Sequence, residues 1–260
     1  LTKIKRQNAG ALVNNILKMS KTVVTKEDFS DDSMILLDIE DYHLNRQINK
    51  DQITNLIQQY NLNKNNTKFI ASFNKDTFIF NTRDMNNILQ NIFNPINENF
   101  DEYCIPSNNK YENSFMFRIS DKIIRTENDY SSKKMRANGE EATILDFDGN
   151  KVTIQYSGSL DEPEKIGINE LYENFIQNYC TTIHKSQGSQ YINVVFIIEP
   201  NQTITEKKSI YTAISRAQES CLVISSESDF IKLQHDNKKI DFKVSLFMDE
   251  LFMNEIGYSF

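Results

Sequence analysis

The chain has 260 residues, 29 of them basic and 36 acidic, for a formal charge of −7. With 39% hydrophobic and 25% charged residues it can bury a core, which excludes a disordered tail. Three cysteines are too few for a disulfide-stapled secreted scaffold, and the acidic balance argues against a generic basic coat for nucleic acid while allowing a local basic groove.

The length suits one large domain or two smaller ones. No stretch approaches the ~20 apolar residues of a membrane span, and Leu1-Thr2-Lys3-Ile4 lacks the apolar core of a signal peptide. The first residue is not methionine, so the reading is of a fragment or a processed chain.

Taken in order, Leu12, Val13, Ile16 and Leu17 recur at helical spacing within residues 9–20. Residues 33–39 read as a strand, 47–60 as a helix, 68–73 as a strand, and 84–93 as a helix closed by Asn94-Pro95. From 115 to 179 the pattern shortens and alternates. Strands are predicted over 117–125, 141–146, 152–156 and 165–168, with turn signals at Asn138-Gly139 and Asp148-Gly149-Asn150. Several short strands in one block predict a small β-barrel or meander. Beyond it, 178–183, 192–198 and 221–225 read as strands, and 204–217 and 228–234 as helices. The run from Ile192 to Ile198 is continuously apolar, as in a strand covered on both faces. The fold class expected is α/β: a parallel sheet with helices on both faces, interrupted by an inserted small β-barrel.

The most specific segment is Thr182-Ile183-His184-Lys185-Ser186-Gln187-Gly188-Ser189-Gln190, directly after a strand. Its place predicts a junction at the carboxyl edge of the parallel sheet, where such folds bind ligands. Thr182, His184 and Lys185 offer a hydroxyl, a ring and a cation to a phosphate backbone, and Gly188 lets main chain approach a phosphate. For any one of these residues a polar surface loop is the alternative. A second segment is Tyr211-Thr212-Ala213-Ile214-Ser215-Arg216-Ala217. Arg216 is a fork able to clamp a phosphoryl group, or a last-turn cation complementing a helix dipole. Arg6, in the basic run Leu1 to Gln7, is a third phosphate candidate. Cys180 and Cys221 fall on core strands, and His43 and His235 lack metal-ligand spacing. Asp31-Asp32 and Glu140-Glu141 read as solvated turns. Residues 243–256 are too apolar all round for a solvent-facing helix.

His-Lys-Ser-Gln-Gly-Ser at 184–189 and Tyr-Thr-Ala-Ile-Ser-Arg-Ala at 211–217 resemble motifs V and VI of superfamily 1 DNA helicases, best in the RecD/Dda-like branch that moves 5′ to 3′. Leu1 to Gln7 is similar to that branch's motif IV. Phe117 to Ile124, Asn128-Asp129-Tyr130 and Asn138-Gly139-Glu140 resemble the run that leads into its inserted barrel. The resemblance covers roughly residues 1–225. Ser120 stands where the family usually has glycine, and Gln190 where it usually has glutamate.

The resemblance implies a RecA-like second motor domain over 1–120 and 178–260, with a barrel of the Src-homology-3 kind over 121–177. It implies ATP with Mg2+ bound between two RecA-like domains. Arg216 and Arg6 would be the arginines on the γ-phosphoryl group, with Gly188, Gln187 and Gln190 on the nucleotide side. Thr182, His184 and Lys185 would hold single-stranded DNA or a DNA junction, helped by Asn128, Tyr130 and Asn138 at the barrel mouth. No G-x-x-x-x-G-K-[ST] string occurs among the seven glycines. The phosphate loop and metal ligands are therefore expected from an N-terminal RecA-like domain, in cis or in trans. The site implied is intracellular and cytoplasmic, with no membrane partner; replication, recombination and repair stay open. The competing readings are a non-catalytic single-strand-binding module and a related RNA helicase.

Overall fold

The computed structural model describes residues 10–29, 31–73, 77–96, 103–104, 116–130, 135–200 and 207–235. Arg6 and the apolar segment 243–256 lie outside the described residues.

Helix α1 (Gly10–Lys21) leads to β1 (Met34–Leu37), and a short hairpin, β2 (His43–Leu44) with β3 (Gln47–Ile48), precedes α2 (Lys50–Gln59). Then come β4 (Thr67–Ala71) and α3 (Thr82–Phe93). Two short strands, β5 (Tyr103–Cys104) and β6 (Met116–Phe117), lead into β7 (Lys122–Arg125), β8 (Glu141–Asp148), β9 (Lys151–Tyr156) and β10 (Glu164–Gly167). Helix α4 (Ile168–Asn174) and β11 (Phe175–Gln177) complete that block. The chain returns through β12 (Cys180–Thr182), β13 (Tyr191–Ile197), α5 (Lys207–Ile214), β14 (Ala217–Ile224) and α6 (Glu227–His235).

Five strands form a parallel sheet in the order β1-β14-β13-β4-β12. Alternation within each strand feeds two cores. Val194, Phe196 and Ile198 pack with Cys221, Val223 and residues of α1, α5 and α6 on one face. Val195 and Ile197 pack with Leu222, Ile224 and residues of α2 and α3 on the other. A strand whose two faces are both covered has no place for a polar residue, which is why Val194 to Ile198 is unbroken and buried. This is a parallel sheet with helices on both faces, as the sequence predicts.

The second sheet is antiparallel, in the order β10-β9-β8-β7-β11, with its own core of Phe117, Ile123, Ile144, Val152, Ile154 and Phe175. It joins the parallel sheet through a buried polar knot. The Asp121 carboxylate, fully buried just before β7, accepts from Gln90 at 2.6 Å, Asn94 at 2.7 Å, Arg118 N at 2.8 Å and the Tyr179 hydroxyl at 2.7 Å. Burial pushes its pKa up, and these donors oppose the shift. The entry and exit chains of the antiparallel sheet thus share one acceptor.

Several expected boundaries move. The helix read from residue 47 starts at Lys50, because Gln47 and Ile48 pair with His43 and Leu44, and Asn49 caps α2 by accepting from Gln52 N at 3.3 Å. The strand read over 117–125 breaks at a turn where Ser120 has φ +71°. The helix read to 217 ends at Ile214, and Ala217 opens β14. Helix α4 and strand β11 were not expected. Two presumed solvated acids are structural. Asp31 accepts from Ala11 N at 2.9 Å and so caps α1. Glu141 lies in β8, ion-paired to Lys68 at 3.3 Å.

Candidate functional site

The motif segments sort by sheet edge. Thr182 ends β12 level with Ala71, the last residue of β4, at the carboxyl edge. Tyr191 starts β13 ahead of Asn193, which pairs with Thr67 at the other end of β4, and it also pairs with Ala217, the first residue of β14. Residues 183–190 therefore run back from one edge to the other. The expectation that the whole nonapeptide sits at the carboxyl edge is corrected: its first residues do, and its last residues lie at the amino edge.

Successive turns hold the return. Ser186 N donates to the Thr182 carbonyl at 3.0 Å, Gln187 N to the His184 carbonyl at 3.3 Å and Ser189 N to the Ser186 carbonyl at 3.2 Å. The buried Ser186 hydroxyl donates to the Ile183 carbonyl at 2.7 Å and anchors the segment. His184, Lys185, Gln187, Gly188 and Gln190 are exposed, and Thr182 is half-buried. Gly188 has φ +90°, and nothing lies within 4 Å of where a Cβ would stand. Its glycine is required by backbone conformation, and the space beside it is open.

Arg216 sits in the turn after α5, not within the helix. Its Nη1 donates to the Ser189 carbonyl at 3.0 Å, its Nε to the Thr212 carbonyl at 3.1 Å and its Nη2 to the Ser215 hydroxyl at 3.4 Å. Its own carbonyl accepts from Tyr191 N at 2.9 Å. Gln218 donates to the Gln190 side chain at 3.3 Å, a bond that the amide oxygen at 190 accepts as a carboxylate would. The two motif segments are thus one unit at the amino edge, uniting Arg216, Gly188 and Gln190. Helix α1 begins near that edge too: Leu12 N donates to the Ser33 hydroxyl at 3.0 Å, and the Ser33 carbonyl accepts from Cys221 N at 2.9 Å.

On the antiparallel sheet, Asn128, Tyr130 and Asn138 come together. Asn128 donates to the Tyr130 hydroxyl at 2.9 Å and accepts from Asn138 N at 2.7 Å. Arg136 fixes this corner through Glu164 at 2.7 Å and the Tyr156 ring at 3.9 Å. Tyr130 is 76% exposed, so its ring is not a buried core residue.

Sequence reading missed Lys68, Glu141 and Tyr191. Lys68, on β4, is buried; its ammonium donates to the Asn178 carbonyl at 2.6 Å, and the Tyr191 hydroxyl donates to Glu141 at 2.9 Å. Burial raises the Glu141 carboxyl, but the Lys68 ammonium and the tyrosine hydroxyl outweigh it and hold the group below the usual carboxylate range. A lysine opening an otherwise apolar strand was the one available signal. Among the described residues no three His, Cys, Asp or Glu side chains group as a metal site, and no helix is long and apolar enough to cross a membrane.

Comparison with known proteins follows the same lines. Residues 178–224 match the UvrD-like helicase C-terminal domain. The chain is 29% identical over 123 residues, 47% of its length, to the RecBCD enzyme subunit RecD of Buchnera aphidicola subsp. Schizaphis graminum, and this spans 20% of that protein. Its fold is similar to that of a Bacteroides Pif1 helicase solved with ADP-AlF3 and single-stranded DNA, at a TM-score of 0.53 and 17% identity, covering 99% of this chain and 57% of that one. The Candida albicans Pif1 helicase is similar at a TM-score of 0.51 and 13% identity, covering 96% and 60%. The chain thus spans a fifth of the RecD subunit and between half and two thirds of these helicases. With motifs V and VI, the domain match and the shared fold in agreement, the chain resembles the C-terminal half of a superfamily 1 helicase of the RecD and Pif1 kind.

Proposed function

We propose that this chain is the second motor domain of an ATP-dependent 5′-to-3′ DNA helicase. The observation that carries the reading is the Arg216 bond to the Ser189 carbonyl, which gathers an arginine fork, an open glycine and Gln190 at one sheet edge. Thr182, His184 and Lys185 lead off from the opposite edge. Nucleotide and single strand are accordingly served by two ends of one segment.

In this reading Arg216, with Arg6 from the segment before α1, faces the γ-phosphoryl group and stabilises charge that develops there. Gly188 lets main chain come close, and Gln187 and Gln190 supply neutral hydrogen bonds. The phosphate loop and Mg2+ ligands belong to a separate RecA-like domain that faces the amino edge. Thr182, His184 and Lys185 contact the strand, and Tyr130 stacks on a base beside Asn128 and Asn138. Residues 121–177 form an inserted unit, for which we infer the Src-homology-3-like barrel of the helicase family; its antiparallel order and separate core support that assignment.

The test is Arg216→Ala in the complete protein. An arginine finger is worth roughly 10³–10⁵ in rate. DNA-stimulated ATP turnover should fall at least ~10³-fold with single-strand binding retained. Turnover within a few-fold of wild type removes Arg216 from the mechanism.

A further inference from the structure

A cavity of about 510 Å³ lies where the two sheets meet, at the amino edge. Three lysines line it, Lys64, Lys68 and Lys122, against one carboxylate, Glu141, and Ser189 and Gln190 line it too, so it adjoins the unit assigned above to the nucleotide. In a chain of charge −7 this is a local reversal of sign.

The three ammonium groups are not equivalent. Lys68 is satisfied by Glu141 and the Asn178 carbonyl. Lys64 donates once, to the Ser120 carbonyl at 3.1 Å, and Lys122 once, to the Thr143 hydroxyl at 3.0 Å. An ammonium has three donors, and among the described residues neither of these two has a salt-bridge partner. The nearby carboxylates are committed elsewhere, Asp121 to its four donors and Glu141 to Lys68 and Tyr191. Both lysines are half-buried, so water compensates them incompletely: burial lowers both pKa values, Lys64 lowers that of Lys122 further, and Asp121 at Lys64 and Glu141 at Lys122 oppose the shifts without cancelling them. Among the described residues, two partly desolvated cations facing one cavity have no carboxylate within salt-bridge distance.

The surroundings identify it. Gly139 lines the cavity and directly follows Asn138, which is bonded to Asn128, which in turn holds the exposed Tyr130. Gly139 on the cavity wall is thus tied, through Asn138 and Asn128, to an exposed aromatic ring outside the cavity, and stacking joined to phosphate contacts is what serves a single strand. We infer that Lys64 and Lys122 bind consecutive phosphates of a single-stranded nucleic acid, in a groove between the two sheets that is separate from Thr182, His184 and Lys185. This rests on the single-strand reading proposed above.

The experiment measures binding of a fluorescein-labelled oligothymidylate to the full-length protein by anisotropy, from 50 to 200 mM salt. The variants are Lys64→Gln, Lys122→Gln and the pair, which keep a donor for Ser120 and Thr143 while removing charge. The pair should weaken binding roughly ten-fold at low salt and make the slope of log affinity on log salt shallower by about 1.4, two phosphates at ~0.7 each. Lys64→Arg with Lys122→Arg should restore both values. Equal affinity and slope in wild type and the pair overturn the groove and leave the main reading standing, provided Thr182→Ala with His184→Ala weakens binding. Unchanged oligonucleotide binding with weakened binding of a fluorescent ATP analogue also overturns it, because the phosphate is then the nucleotide's. Absence of oligonucleotide binding by wild type overturns both.

Discussion

Lys68 and Glu141 belong to different sheets, and their charged groups stand 3.3 Å apart where those sheets meet. Removing one member leaves the other with a hydrogen bond but no opposite charge, in a poorly hydrated place. Lys68→Met should therefore destabilise by about 3 kcal/mol, and Lys68→Met with Glu141→Gln should recover part of that loss. Urea unfolding of the four members of the cycle reads the coupling directly. A coupling near zero would mean that the sheets meet without needing the pair.

The same carboxyl sets an acid limit. The folded pKa of Glu141 is lowered, so its stabilisation is full above the unfolded value near 4.5 and is lost as pH falls through the folded one. Stability should hold from neutral pH to about 5 and then decline more steeply in wild type than in Glu141→Gln. Urea midpoints between pH 3 and 7 compare the two slopes; parallel curves would assign the decline to other carboxyls.

Arg216→Lys keeps the charge and loses the planar fork that reaches the Ser189 and Thr212 carbonyls. A lysine cannot hold both and face a phosphoryl group. ATP turnover in the complete protein should stay within about ten-fold of the alanine variant. Near wild-type turnover would show that charge alone suffices.

Tyr130→Ala removes an exposed ring and should leave the urea midpoint almost unchanged, within about 0.5 kcal/mol. Single-strand affinity should drop by about 1–3 kcal/mol, and Tyr130→Phe should restore most of it. Equal loss in both variants would point to the hydroxyl bonded to Asn128 instead of the ring.

Ser120 adopts φ +71° where the helicase family usually has glycine. A side chain there costs roughly 1–2 kcal/mol, and glycine's extra freedom when unfolded costs up to about 1. Ser120→Gly should leave stability unchanged or raise it by up to ~1 kcal/mol, read by the melting temperature. A clear loss would mean that the serine hydroxyl makes a contact of its own.

The parallel core was legible because strands covered on both faces cannot hide their composition: Val194 to Ile198 admits no helix-like polar stripe. Motifs V and VI were legible as strings, since side-chain chemistry survives without coordinates. The placement of Thr182 and Gln190 at opposite edges was not, because it depends on pairing with β4, which nothing in the segment encodes. The Lys68–Glu141 pair was not legible for a related reason: Glu141 looks like an ordinary surface charge, and Lys68 like a lysine at the start of an apolar strand, until the fold brings two distant strands together. Arg216 read as helical because Tyr211 to Ile214 is helical, and only its pairing context shows that Ala217 already belongs to a strand.

The return from β12 to β13 also has an arithmetic of length. The sheet edges joined by residues 183–190 are about six strand steps apart, roughly 20 Å, and passing over β4 adds ~10 Å sideways. The two displacements are perpendicular and combine to roughly 22 Å, while nine peptide steps reach at most ~32 Å when fully drawn out, so about 10 Å of length is taken up in the turns. Coiled as an α-helix, the same eight residues would span only ~12 Å and could not bridge the gap. The link is a short strap whose turns are its only reserve of length. A pull on Thr182 is therefore taken up first by unwinding those turns, and beyond about 10 Å it must drag Arg216 along with Ser189.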